Sequence, residues 1–141
     1  MIAYFDTSAF VPLIVEEASS AACGDLWRAA DEIVSTRLLY VETSAALARA
    51  FRSRRFDDRA LAEAQERQIR LWASVSVVEL DHALMIRASE LAQVCGLRGY
   101  DSVHCAAAEL LGGTGFVAAT GDRQLLTAWH GLGVATFPVG G

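Results

Sequence analysis

The segment Met1-Ile2-Ala3-Tyr4-Phe5-Asp6-Thr7-Ser8-Ala9-Phe10 decides the fold. Ile2–Phe5 is a short apolar run, Asp6-Thr7-Ser8 interrupts it, and a second apolar run, Ala9–Val15, follows at once. That order predicts a buried strand, a sharp turn and the start of a helix. In an open α/β sheet the ligand crevice lies beyond the carboxyl ends of the strands. A carboxylate at the end of strand one, Asp6, therefore stands at the mouth of any site such a fold carries.

The same alternation continues to the C-terminus. A helix is expected over Ala9–Val15 and another over Ser19–Ala30. Glu32–Thr36, containing Ile33-Val34, is expected as the second strand, then helices over Leu38–Arg54 and Asp57–Ser74. The β-branched run Val75–Leu80 is the third strand. Asp81–Cys95 is helical, with Leu84, Ala88, Leu91 and Cys95 at helical spacing and Gly96 as its stop. Tyr100–Leu111 is a nearly all-apolar helix, Gly115–Thr120 the fourth strand, Asp122–Trp129 a short helix and Val134–Val139 the fifth strand. Strands alternating with helices predict one α/β domain over residues 1–141, a three-layer α/β/α sandwich around a mainly parallel five-stranded sheet.

Composition narrows the class. The chain has 141 residues, enough for a single core, and is 53% hydrophobic, which argues against disorder. No apolar run reaches the length of a membrane span, and no basic N-terminal region precedes a long apolar segment, so the expected location is the cytoplasm. Cys23, Cys95 and Cys105 lack metal-binding spacing and read as small buried hydrophobes in a reducing compartment. The net charge of −5 argues against a simple basic coat for nucleic acid, although a metal cluster supplies local positive charge where the chain does not.

Four acids form the candidate site. Asp6, Asp101 and Asp122 each fall where a helix begins, and the competing explanation for each is an N-cap. Glu42 lies a turn inside its helix, on the same stripe as Leu39 and Ala46, where an unpaired carboxylate is costly. It needs a cation, a hydrogen-bonding partner such as an Arg, or a rotation toward solvent. In a parallel sheet all four positions lie toward the carboxyl edge. Carboxylates gathered there repel one another and raise some of their pKa values. A hard divalent cation such as Mg²⁺ relieves that conflict through oxygen ligands and supports phosphoryl chemistry. Thr7, Ser8 and Thr120 flank the acids and have hydroxyls able to orient a carboxylate, or to serve as ordinary turn and cap groups.

The ordered set Asp6-Thr7-Ser8, Glu42, Leu97-Arg98-Gly99-Tyr100-Asp101-Ser102-Val103-His104 and Thr120-Gly121-Asp122-Arg123-Gln124-Leu125-Leu126 resembles the PIN-domain ribonucleases. More closely it is similar to the VapC toxins of bacterial type II toxin–antitoxin pairs, over essentially the whole chain. The resemblance implies a PIN-like α/β/α sandwich and Mg²⁺- or Mn²⁺-dependent endoribonuclease activity. Asp6, Glu42, Asp101 and Asp122 would be the catalytic acids, with Asp6, Asp101 and Asp122 on the metal. It also implies inhibition by a small VapB-type antitoxin, and a homodimer or a larger hetero-oligomer with that antitoxin.

Other residues divide less sharply. Arg98 and Arg123 adjoin the acids and are candidates for RNA phosphate or carboxylate contact. Arg49, Arg52, Arg54, Arg55 and Arg59 are expected at the tip of a helical hairpin, as phosphate contacts or as a solvated helix end. His104, one turn after Asp101, is expected to pack in a buried helix, with support of the acids from behind as the alternative. His82 and His130 receive no role. Trp27, Trp72 and Trp129 are expected in the core or at a dimer interface. Two rival readings remain open: a noncatalytic module that binds RNA or antitoxin, and another Mg²⁺-dependent phosphotransfer enzyme such as a phosphatase. Against the phosphatase, Asp6-Thr7-Ser8 lacks a second Asp two residues on, and no P-loop glycine pattern is present.

Overall fold

The computed structural model describes residues 1–140 and places β1 (Ile2–Phe5) at the centre of a five-stranded, all-parallel sheet. β1 is flanked by β2 (Glu32–Thr36) and β4 (Phe116–Thr120), with β3 (Val75–Val78) and β5 (Thr136–Pro138) at the edges. The strand order β3-β2-β1-β4-β5 reverses direction between β1 and β4. That reversal opens the crevice at which ligands enter a doubly wound sheet.

Period-two alternation sends neighbouring strand residues to opposite faces. Tyr4, Val34 and Ala118 face one core, with Leu84, Ala88 and Leu91 of α5 (His82–Cys95), Cys105 to Ala108 of α6 (Gly99–Leu111) and Leu125 and Trp129 of α7 (Arg123–Gly131). Ala3, Phe5, Ile33 and Ala119 face the other. There they meet Phe10 of α1 (Thr7–Phe10), Leu26 of α2 (Ser20–Ala29), Leu47 of α3 (Leu38–Arg52) and Ala64 of α4 (Asp58–Trp72). The predicted three-layer sandwich is therefore the observed architecture. Trp129 is fully buried, and Trp27 packs on Phe5 and Phe10, as their helical faces predict. Among the described residues no helix is long and apolar enough to cross a membrane. Cys23 and Cys105 are buried and Cys95 half-buried, all as free thiols.

Several boundaries differ from the sequence expectation, each for a local reason. The helix expected over Ala9–Val15 begins at Thr7, because Asp6 caps it, and passes into a 3-10 turn at Val11–Leu13. Pro12 lacks the amide that would continue the α ladder. α3 stops at Arg52 rather than Arg54, since Arg54 adopts the left-handed region at φ 61°. β5 covers only Thr136–Pro138, because the Val134 amide is still bonded to the Trp129 carbonyl at the end of α7. The most consequential shift is at α6. It starts at Gly99 with Arg98 as N-cap, so Asp101 lies inside the first turn and is not a capping residue.

Candidate active site

Asp6 and Asp122 follow the two central strands that flank the topological reversal, so the sheet alone brings them to one edge. Asp6 caps α1, its Oδ1 accepting from the Ala9 amide at 3.0 Å. Asp122 caps α7 in the same way, Oδ1 accepting from the Leu125 amide at 3.0 Å. Capping and site membership, rival explanations in the sequence, are here the same contact: the cap fixes one oxygen and the strand aims the carboxylate.

Asp6 is 5% exposed and its carboxyl is surrounded by donors. The Ser8 hydroxyl donates to Oδ1 at 2.7 Å and the Thr120 hydroxyl to Oδ2 at 2.6 Å. Thr120 Oγ1 also accepts from the Asp122 amide at 3.0 Å, so one hydroxyl ties two of the acids. Burial pushes the Asp6 carboxyl above its ordinary value, and outweighs the opposing pull of His104 and of the Thr120, Ser8 and Ala9 donors.

Glu42 enters from α3, as its position on the inward stripe predicts. Its side chain is 19% exposed and reaches the same cleft. The partner is neither an Arg nor bulk water. The Thr7 hydroxyl donates to Oε1 at 2.9 Å, and His104 Nε2 lies 2.6 Å from that same oxygen. His104 Nδ1 in turn lies 2.7 Å from the Tyr4 hydroxyl. Packing was the first expectation for His104, and the contacts favour the alternative: it is a polar neighbour of Glu42. Its i+3 spacing from Asp101 within an apolar helix was the available signal, since a buried imidazole requires partners. Tyr4 carried no signal, being one of several apolar strand residues. Burial pushes its phenol well above the ordinary value, so it keeps its proton.

Asp101 completes the set from the first turn of α6. Arg98 Nε donates to its Oδ2 at 3.0 Å, and an Arg98 Nη lies 3.9 Å from Asp122 Oδ2. The guanidinium also stacks 4.9 Å from the Tyr100 ring centre. Arg98 thus meets carboxylates, one of the two contacts expected of it. Arg123 does not reach the cleft. It starts α7 on the far side and lines an apolar groove with Val94, Cys95 and Leu132. Arg49, expected at the hairpin tip, instead lines the cleft, as does Glu17, a fifth acid that nothing in the sequence marked.

Asp6, Glu42, Asp101 and Asp122 therefore line one cleft of about 600 Å³. Among the described residues no three acidic, His or Cys side chains converge on a single point as they stand. The Arg98 guanidinium holds Asp101 and faces Asp122, balancing part of the charge that an ion would balance. The donor set nevertheless fits a hard divalent cation: all four groups are carboxylates, and Glu42, Asp101 and Asp122 each keep one oxygen free of a hydrogen bond, while both Asp6 oxygens already accept.

The chain matches the PIN domain over residues 3–128. It is 39% identical over 137 residues to the ribonuclease VapC45 of Mycobacterium tuberculosis, covering 97% of this chain and 95% of that protein. Among solved structures it is similar to M. tuberculosis VapC20, a toxin that cleaves the sarcin–ricin loop. The TM-score is 0.68 at 22% identity, over 89% of this chain and 94% of that one. A toxin–antitoxin complex from Klebsiella pneumoniae aligns with a TM-score of 0.61 at 16% identity, over 85% of this chain and 86% of that one.

Proposed function

The chain belongs to the PIN-domain family, and from that premise we propose that it is an endoribonuclease, the toxin of a type II toxin–antitoxin pair, acting through a divalent metal held in the acidic cleft. The observation that carries the reading is the convergence of Asp6, Glu42, Asp101 and Asp122, from four separate elements, on one cleft at the carboxyl edge of the sheet.

Asp6, Asp101 and Asp122 are the residues that would hold Mg²⁺ or Mn²⁺, Asp101 and Asp122 through the oxygens their contacts leave open and Asp6 through Oδ2, which also accepts from Thr120. When bound, the cation supplies a Lewis acid for the phosphate oxygens and lowers the pKa of a coordinated water. The chain's own groups do the remainder. Thr120 and Ser8 keep the Asp6 carboxylate in one orientation against the cost of its burial. Glu42 Oε2 accepts no hydrogen bond from any described residue and can take the proton of an attacking water. Arg98, 62% exposed at the rim, can leave the acids and meet a backbone phosphate as a planar fork. In-line attack on phosphorus would leave 5′-phosphate and 3′-hydroxyl ends. The partner of the same reading is a VapB-type antitoxin whose segment covers the cleft, and the resting assembly is a homodimer or a hetero-oligomer with it.

The test is a short unstructured RNA incubated with the purified protein, with Mg²⁺ and with EDTA, and resolved on a gel. Cleavage is expected only with metal, and Asp6→Asn and Asp101→Asn are expected to abolish it while circular dichroism shows both folded. Full activity in EDTA sinks the metal mechanism; binding without cutting under any condition favours the noncatalytic module.

A further inference from the structure

The nuclease reading leaves a buried imidazole at the cleft without a task. His104 is 1% exposed, and each of its ring nitrogens meets a partner on a different element of the fold. Nε2 lies 2.6 Å from Glu42 Oε1 on α3, and Nδ1 lies 2.7 Å from the Tyr4 hydroxyl on β1. Resting on that reading of the cleft, we propose that His104 is a positioning residue for Glu42, anchored on its far side by Tyr4, so that Glu42 presents the single oxygen Oε2 to substrate.

The proton assignment follows from the partners. An ionised carboxylate only accepts, so the nitrogen facing Glu42 must carry a hydrogen. Nδ1 on the far side of the ring is then held by the Tyr4 oxygen, which can donate to a bare nitrogen or accept from a protonated one. The chain of contacts runs from Tyr4 through the imidazole to Glu42 Oε1. The Tyr4 ring meets the imidazole edge-on at 5.9 Å between centres, which restrains the plane of the imidazole.

The consequence lies on Glu42. Thr7 Oγ1 at 2.9 Å and His104 Nε2 at 2.6 Å both address Oε1, and no described residue donates to Oε2. Two donors on one oxygen use its lone pairs and stop the carboxylate from turning over. Glutamate reaches the cleft through three rotatable bonds, so without this clamp its acceptor oxygen would be spread over several positions. A donor held rigidly in the core makes a charge-assisted bond stronger than a neutral pair. Packing alone would be served equally well by an apolar side chain of the same size, and that difference supplies the test.

The full chain would be prepared as wild type, His104→Gln, His104→Leu, Tyr4→Phe and Asp6→Asn. Three quantities would be measured: Mn²⁺ affinity by electron paramagnetic resonance, steady-state RNA cleavage with its kcat and KM, and the melting midpoint. The Gln amide nitrogen falls near the position of imidazole Nε2 and can donate to Oε1; Leu fills the space and cannot. His104→Leu is expected to lose about 10–100-fold in cleavage rate, the scale of losing an outer-shell partner, with KM for RNA and Mn²⁺ affinity unchanged, since Glu42 is not among the metal-holding acids. His104→Gln should return to within about fivefold of wild type, and Tyr4→Phe should fall between them. The proposal is overturned if Leu matches wild type in kcat, or if Gln and Leu are equally impaired. If Leu does not fold, His104→Asn replaces it: the shorter amide reaches Tyr4 but not Glu42, and activity equal to that of Gln overturns the proposal. Asp6→Asn separates the two levels. Wild-type cleavage by that variant sinks the nuclease reading itself, whereas a silent Asp6→Asn beside an active His104→Leu sinks only the role given to His104.

Discussion

Replacing Thr120 by Val isolates the hydroxyl that ties Asp6 to Asp122. The side chain is fully buried and the substitution keeps its shape. Two bonds disappear. Asp6 Oδ2 loses a charge-assisted donor at 2.6 Å, worth about 1.5–3 kcal/mol, and the Asp122 amide loses its acceptor at 3.0 Å, worth about 0.5–1.5 kcal/mol. The added methyl recovers about 0.8 kcal/mol by burial. The net cost should therefore be near 2.5 kcal/mol, or a fall of about 8–10 °C in the melting midpoint for a chain of this length. Thr120→Ser is the control: it keeps the hydroxyl and should lose about 1 kcal/mol through the missing methyl alone. Denaturant unfolding at neutral pH, followed by circular dichroism, measures both. Cleavage of RNA should fall with Val and persist with Ser, because only Val frees the Asp6 carboxylate to turn. The gap between Val and Ser should narrow in acid, where Asp6 takes up its proton and no longer needs the donor. If Val and Ser unfold together at neutral pH, or Val cuts RNA at the wild-type rate, the linkage of the acids through Thr120 is wrong.

Other perturbations test other parts. Burial raises the Asp6 carboxyl above its ordinary 3.8, so the folded chain binds that proton more tightly than the unfolded chain does. The stability it contributes is present below that ordinary value and lost as pH rises through the raised one. Metal-free Asp6→Asn should remove this slope from a plot of unfolding free energy against pH, and an unchanged slope contradicts the assignment. Thr43 Oγ1 is buried with no hydrogen-bond partner, so Thr43→Val should raise stability by about 1 kcal/mol in urea unfolding; a loss would mean the hydroxyl is satisfied. Arg98→Gln should lower metal-free stability only slightly, because the guanidinium is mostly exposed even though the Asp101 carboxylate it meets is largely buried. The same variant should enlarge the upward shift of the melting midpoint on adding Mg²⁺, because the guanidinium no longer neutralises Asp101 and Asp122; an unchanged Mg²⁺ shift refutes that competition.

Much of the architecture was legible because apolar periodicity reports burial. Ile2–Phe5 and Glu32–Thr36 lie where their runs predict, since strands covered on both faces are apolar throughout. Helix ends were less legible. The start of α6 at Gly99 and the early end of α3 at Arg52 depend on backbone geometry that residue type only biases. Asp6, Glu42 and Asp122 could be placed at the carboxyl edge by counting elements, because in a parallel sheet every strand ends on the same side.

The partners of those acids could not be counted. Thr120 is 114 residues from Asp6, His104 is 62 from Glu42 and Tyr4 is 100 from His104, and no local spacing encodes such separations. Arg123 shows the same limit in reverse: it adjoins Asp122 in the chain, yet the helix turns it into a different groove. The sequence by itself determined the layers, the edge and the four acids, because hydrophobic period and strand direction act over a few residues. Only the tertiary structure decided which hydroxyl, imidazole and guanidinium hold each carboxylate, because that depends on which side chains from distant elements arrive within 3 Å of one another.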